Sequence, residues 1–437
     1  MEDVAKLKEK YGLKGSPTEG LIAATLGFFV GFAAVSLYGP TAKEFKDVMG
    51  LTAAMTGLLV AAPQLTGSLL RIPFGAWVDK VGGKKPLLTL LSLSVIGMAG
   101  LTFILFTYYP DNLTIEMYPL VLFFGFLSGC GVATFSVGIP QTSYWFPQKR
   151  QGWALGTYAG LGNTAPGWFT LIIPFALATL ALPGAYAAWF GFLLIGTIIY
   201  AIIAHDAYYF QLIKKGVPRE EAIEVSKKLG QELFPSGTLV DALKISAKIG
   251  RTWALVILYF TSFGGFLALT TWFPTYWRIF HGFDIKTAGI LGGAGFSLLA
   301  SFIRIYGGQL SDKIGGEKTA IMSFTLVLIG AGILTVSTAF IPAFIGEIFI
   351  GAGMGIANAA VFKLVAKYVP EAVGGASGWV GGLGAFGGFV VPPILGVFVD
   401  AFGEIGYARG FIVYVCLALI AIGISAFLKK RYGDSIH

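Results

Sequence analysis

The chain has 437 residues, of which 55% are hydrophobic and 12% charged, with a formal net charge of +8. A soluble domain usually carries about 25% charged residues, so this composition excludes an ordinary soluble enzyme, a disordered chain, a collagen and a coiled coil. Long apolar runs with so little charge place the chain in a lipid bilayer, and its basic balance speaks of membrane topology rather than nucleic acid.

The first twenty residues, MEDVAKLKEKYGLKGSPTEG, are polar and mixed in charge. They do not read as a cleaved signal peptide, because no short apolar core with a small-residue cleavage site follows. A helix needs about 20 apolar residues to cross about 30 Å of hydrocarbon. Twelve runs meet that length, at 20–40, 53–77, 87–108, 118–140, 152–179, 184–209, 251–277, 287–310, 319–340, 342–363, 373–398 and 408–428. A polar stretch over 210–250 separates six runs from six. Within it, KKGVPREEAIEVSKKLGQELF predicts a short surface helix and DALKISAKIG a second amphipathic piece. The expected fold is therefore an all-α polytopic membrane protein with twelve transmembrane helices in two pseudo-symmetric six-helix halves. The N-terminal half with its tail covers 1–209, the linker 210–250, and the C-terminal half 251–437.

Orientation follows from where Lys and Arg fall. If both termini are cytoplasmic, 24 of the 31 basic residues lie on the cytoplasmic side and five on the other, with Arg71 and Arg304 inside spans. Both termini are accordingly expected in the cytoplasm, with the linker.

The two halves repeat. RIPFGAWVDKVGGKK (71–85) aligns without a gap with RIYGGQLSDKIGGEK (304–318), pairing Arg71 with Arg304 and Asp79 with Asp312 at an offset of 233. GTYAGLGN (156–163) aligns with GWVGGLGA (378–385) at an offset of 222. Matching motifs in matching loops of two six-helix halves describe a transporter built of parallel repeats.

Arg71 and Arg304 each lie eight residues before the loop aspartate, so about 12 Å into the membrane at 1.5 Å per residue. A charge at that depth is costly, normally faces a cavity and marks a substrate path. No Asp or Glu sits at comparable depth in spans 1, 2, 4, 5, 7, 8 or 11, which leaves the substrate as counter-ion. A helix-packing arginine held by carbonyls is the alternative reading. The planar guanidinium fork suits an oxyanion, because it offers parallel donors and never loses its proton.

GLGNTAPG (160–167) and GGLGAFGG (381–388) have no phosphate-loop or dinucleotide spacing. Close helix packing by small residues is the plain reading; backbone access to a small ligand, with Asn163 as an amide donor, is the functional one. Glu347 near one end of span 10, and His205 and Asp206 near the end of span 6, read as boundary residues, or as proton acceptors if they function at all. Cys130 and Cys416 lie in apolar segments and read as packing residues. Two Cys with three His (His205, His281, His437) give no metal-ligand spacing. No cofactor is expected. No nucleophile–base constellation appears, so no enzyme is expected either.

At this point the residues carry a resemblance. SYWFPQKRQGWALGTYAGLGN (143–163) resembles the nitrate signature of the nitrate/nitrite porters within the major facilitator superfamily, and GWVGGLGAFGGFVVP (378–392) resembles their second signature. LLRIPFG around Arg71, LYFTSFGGF (258–266) and FKLVAKYVP (362–370) are also similar to that family. The resemblance implies the major facilitator fold, with Arg71 and Arg304 clamping the anion. It implies aromatic walls from Phe135, Phe263 and Phe32, a phenol donor at Tyr259, and signature positions at Asn163, Gly160, Gly162, Gly382 and Gly384. It also implies a gating latch at the loops of Asp79 and Asp312. Ala385 departs from the pattern, where the first repeat has Asn163.

The expected function is a nitrate/nitrite transporter working by alternating access as a monomer in the cell membrane, serving nitrate assimilation. Two fixed cations without protein partners make an empty occluded site expensive, which favours nitrate/nitrite exchange. Nitrate/proton symport, with Glu347, Asp206 or His205 titrating, stays open. So does a small carboxylate such as formate or oxalate on the same arginines. A nitrate-sensing receptor is a further class, but the linker holds no recognisable signalling domain.

Overall fold

The computed structural model describes residues 2–235 and 239–432. Among the described residues, eleven helical stretches are long and apolar enough to cross a membrane. One of them, Lys149–Ile203, has 55 residues, about 80 Å of helix and more than twice a hydrocarbon core. It breaks at Ala181, whose φ of 54° and ψ of 179° lie outside the helical region. It therefore makes two spans, and the total is twelve.

Span 1 is Pro17–Met49, span 2 Ala53–Val81, span 3 Lys84–Tyr108 and span 4 Ile115–Ser143. Spans 5 and 6 lie before and after Ala181. Span 7 is Gly250–Phe280, span 8 Ile285–Ile314, span 9 Gly316–Val336, span 10 Phe340–Tyr368, span 11 Pro370–Arg409 and span 12 Ile412–Tyr432. Span 6 ends at Ile203, short of the expected 209, because the chain leaves the helix to tuck Asp206 inward, where it is 6% exposed. Span 12 starts at Ile412 rather than 408, since Gly406–Arg409 forms a separate turn. The linker holds helices Arg219–Lys228 and Leu239–Ala247, near the two expected pieces, and a further one, Tyr208–Lys214, begins before it. Residues 236–238 of the linker, and 433–437 with His437, lie outside the described residues.

Local signals set the ends. The Thr52 hydroxyl accepts from the Met55 amide at the start of span 2, and Asp284 accepts from the Lys286 and Thr287 amides at the start of span 8. Gly82 and Gly315 stop spans 2 and 8 with φ of 83° and 91°, a region that glycine enters at no steric cost. The repeated Gly-Gly pair thus makes the same turn in both halves. The membrane face bearing these turns is called the motif face below, and the other the opposite face. Outer helix surfaces expose Phe103, Phe106, Ile195, Ile202, Val336 and Leu419, a surface that belongs in acyl chains rather than water.

The halves meet mainly where span 2 packs on span 11 and span 5 on span 8. On the opposite face this seam is tight. A Cβ at Gly57 would overlap the Pro392 backbone, one at Gly396 the Ala53 backbone, and one at Gly39 would lie 2.8 Å from the Thr271 carbonyl oxygen. Arg278 of span 7 pairs with Glu44 of span 1 at 2.6 Å, and Asp400 of span 11 accepts from the Ala53 and Ala54 amides of span 2, each at 2.8 Å. Toward the motif face the halves part around a cavity of about 330 Å³. The protein is closed on one face and open on the other.

A paired-arginine site between the two halves

The cavity is lined by Arg71, Asp79, Phe135 and Ser136 from the first half and by Phe362, Ser377 and Gly381 from the second. Its deep end is Arg71, which is 2% exposed. The guanidinium is fixed by its own helix and by the other half: Nε donates to the Gly67 carbonyl at 3.0 Å and Nη1 to the Gly381 carbonyl at 3.2 Å. Nη2 is buried without a partner. Phe135 and Phe263 flank the group, with ring centroids 5.0 and 5.1 Å from Cζ, within cation–π range.

Arg304, on span 8, does not line this cavity but approaches one of the same rings. Its Cζ lies 5.9 Å from the centroid of that same Phe263 ring. The two cations act on each other and on Tyr259 electrostatically. Among the described residues neither arginine forms an ion pair. Two guanidiniums from the paired helices thus lie against one phenylalanine ring.

The aromatic residues assemble around them. Phe263 stacks on Tyr259 at 4.9 Å, lies 6.2 Å from Phe135 and 6.5 Å from Phe32, and all four side chains are buried. The Tyr259 hydroxyl closes no hydrogen bond of good geometry, although the Arg304 side chain stands near enough to interact with it. A π-helical turn over Phe260–Gly264 carries Phe263, and such turns recur at functional sites. Two aromatics that sequence reasoning missed complete the box. Phe28 packs on Phe32, Phe135 and Tyr158 at 4.8, 5.2 and 5.0 Å. Phe362 meets the Tyr259 ring edge-on at 4.8 Å. Phe28 lies one helical turn before Phe32, a spacing that could have pointed to it.

Asn163 differs from expectation in its free atom. Its amide nitrogen donates to the Ala159 carbonyl at 2.7 Å, and its oxygen is the atom left without a partner. It lies beside Arg304, Ser301 and Asn358, and the Asn358 oxygen is likewise unpartnered. Two amide acceptors thus stand near a guanidinium. Ser301 donates to the Asn163 carbonyl at 3.0 Å and so ties the halves together.

The signature glycines divide. A Cβ at Gly162 would run into the Phe28 ring, one at Gly384 would lie 2.8 Å from the Tyr259 ring, and one at Gly382 2.8 Å from Ile72. Beside Gly160 there is open space. Three of the four let backbone approach the aromatic box or its support.

The loop aspartates are not in the box. Asp79 accepts from the Tyr144 hydroxyl at 2.6 Å at the cavity wall, and Asp312 pairs with Lys363 at 2.6 Å. Asp206 accepts from the Lys84 amide at 2.8 Å and pairs with Lys214 at 2.6 Å. His205 stands beside it, and burial together with the Lys84 and Lys14 ammoniums holds its imidazole below the usual range. Glu347 is no boundary residue: it is fully buried in span 10, and both oxygens accept from the Trp277 indole at 3.1 Å. It neighbours Gly295, nine residues before Arg304 and so about 13 Å along span 8.

A profile describing the Major Facilitator Superfamily matches residues 24–345 and 281–435. The "Probable nitrate/nitrite transporter NarK2" of Mycobacterium tuberculosis is 30% identical over 419 residues, covering 93% of this chain and 95% of that one. The "Probable nitrate/nitrite antiporter NarK1" of Thermus thermophilus is 29% identical, covering 91% and 88%. The "Probable nitrate transporter NarT" of Staphylococcus aureus is 30% identical, covering 95% and 97%. Among solved structures, a partially occluded inward open conformation of the xylose transporter XylE from E. coli superposes with a TM-score of 0.72 at 15% identity, over 96% of this chain and 98% of that one. At that identity the likeness speaks for the fold. The chain belongs to the nitrate/nitrite porter family of the major facilitator superfamily.

Proposed function

We propose that this chain carries nitrate and nitrite across the cell membrane by alternating access, as a nitrate/nitrite exchanger. The observation that supports this most is the pair of guanidiniums that share one phenylalanine ring and have no carboxylate partner. Their Cζ atoms lie 5.1 and 5.9 Å from its centroid. That puts them no more than about 11 Å apart, where two unit charges repel by at least roughly 1.5 kcal/mol at an effective dielectric constant of 20. A monovalent anion midway is attracted by about 6 kcal/mol on the same scale. The free Nη2 of Arg71 is a donor waiting for an oxygen. Phe135, Phe263 and Phe32 present flat faces that fit a planar ion, and Tyr259 adds a hydroxyl donor. The unpartnered oxygens of Asn163 and Asn358 suit the N–H groups of Arg304 and so position it.

Exchange follows from the same charges. Without an anion the two cations repel, and closing the site around them is unfavourable. Proton symport would enlist Glu347, but that side chain lies inside the second half, away from the arginines. The motif face carries the basic excess and is assigned to the cytoplasm, with both termini. The working unit is one chain, with halves 1–209 and 251–437 about the linker 210–250. Reconstituted protein tests the reading. Nitrate uptake should require internal nitrite or nitrate and ignore a pH gradient. Uptake driven by external acid with no internal anion would refute exchange, and loss of labelled nitrate uptake to excess formate would refute the substrate.

A further inference from the structure

Span 2 and the long second helix of span 11, Gly387–Phe402, end on a shared pattern. Gly75-Ala-Trp-Val-Asp79-Lys-Val-Gly82 and Gly396-Val-Phe-Val-Asp400-Ala-Phe-Gly403 share Gly, an aromatic, Val, Asp and Gly at identical spacing. In both, the aspartate is the third residue from the end of its helix, Arg71–Val81 or Gly387–Phe402, and the closing glycine has a positive φ of 83° or 67°. No other carboxylate lies in either helix. A carboxylate in a last helical turn faces the negative end of its own dipole, so neither aspartate is there for the sake of its own helix.

The two spans run in opposite directions. Asp400 reaches the opposite face, where span 2 begins, and its two oxygens take one amide each, from Ala53 and Ala54. With Thr52 accepting from Met55, the first three amides of span 2 are satisfied, two of them by the other half. Asp79 reaches the motif face, where span 11 begins. There the cavity separates it from Gly374, Ser377 and Gly378. The helix Val373–Ala385 that starts there has no side-chain cap, and Gly374 is exposed.

We propose that Asp400 is a positioning residue for transport, an opposite-face latch reciprocal to Asp79. Each aspartate caps the first turn of the other's span, and one latch closes as the other opens. In the state described here Asp400 is engaged and Asp79 is free of span 11. When the halves rock, the Ala53 and Ala54 amides turn to water while the start of span 11 gains the Asp79 carboxylate. Exchanging one charged cap for another keeps the two states close in free energy, although the site between them is unchanged.

The test uses full-length protein in oriented vesicles with a reporter cysteine, Gln64→Cys. Gln64 is fully buried on span 2 against Gly388 of span 11, and it becomes reachable from the opposite face only if that seam opens. Labelling by an impermeant maleimide added on that face should be about tenfold faster with Asp400→Ala, the shift that removing about 1.4 kcal/mol from the closed state brings. Asp400→Asn keeps one acceptor and should fall between. Asp79→Ala should slow labelling. Thr52→Ala removes a cap within span 2 alone, so it should lower the melting temperature without changing the rate. Equal labelling of Asp400→Asn and the parent overturns the latch. So does acceleration by Thr52→Ala to match Asp400→Ala, or acceleration by Asp79→Ala.

Discussion

Replacing Arg71 by lysine keeps the charge and removes the shape. In the protein the guanidinium divides its donors: Nε holds the Gly67 carbonyl, Nη1 holds the Gly381 carbonyl, and Nη2 stays free. An ammonium on a flexible stem cannot fill those three directions from one plane. It also forfeits the stacking between Phe135 and Phe263, at 5.0 and 5.1 Å. Losing one charge-assisted hydrogen bond to the anion costs about 2 kcal/mol, and weaker stacking about 1 kcal/mol more. Together these predict a fall in exchange efficiency of about 100-fold. The assay is uptake of labelled nitrate into liposomes preloaded with nitrite, with each variant's melting temperature measured alongside. Arg304→Lys should fall in the same direction. Uptake within threefold of the parent for both variants, in folded protein, would refute the clamp.

Other outcomes follow from neighbouring contacts. Gly162→Ala should cost about 1–3 kcal/mol of stability by driving a methyl into Phe28, seen as a lower melting temperature and reduced uptake. Gly160→Ala, facing open space, should leave both unchanged. Tyr259→Phe removes a buried hydroxyl that closes no hydrogen bond of good geometry, so stability should hold or rise while KM for nitrate increases several-fold in initial-rate measurements. Glu347→Gln should leave exchange intact between pH 6 and 8, because the group stands away from the arginines; loss of exchange would instead assign it a coupling role.

The twelve spans and the deep arginines were legible in the sequence, because hydrocarbon demands long apolar runs and makes any charge within them conspicuous. The repeated Gly-Gly turn was legible for a steric reason. The break between spans 5 and 6 was legible as the gap between the runs ending at 179 and starting at 184; what was not legible is that it turns on a positive φ at Ala181, an ordinary residue two before Pro183. The π-helical turns at Phe260–Gly264 and Leu291–Leu298 arise from packing between spans rather than from local propensity. Asn163 was legible as a polar residue within an apolar run; which of its atoms stays free depends on the Ala159 carbonyl one turn back. Asp400 was hidden because it resembles a residue at a span boundary, and its partners are backbone amides 346 and 347 positions away.

The glycine seam on the opposite face has a mechanical consequence. Gly57, Gly396 and Gly39 bring main chain against main chain, where larger residues would interleave like teeth. A smooth joint of this kind grips through dispersion over a wide area, yet nothing has to be unthreaded when it parts. About a quarter to a half of its hold is released over the first ångström or so of separation, which suits a machine that must come apart and re-form on every turnover.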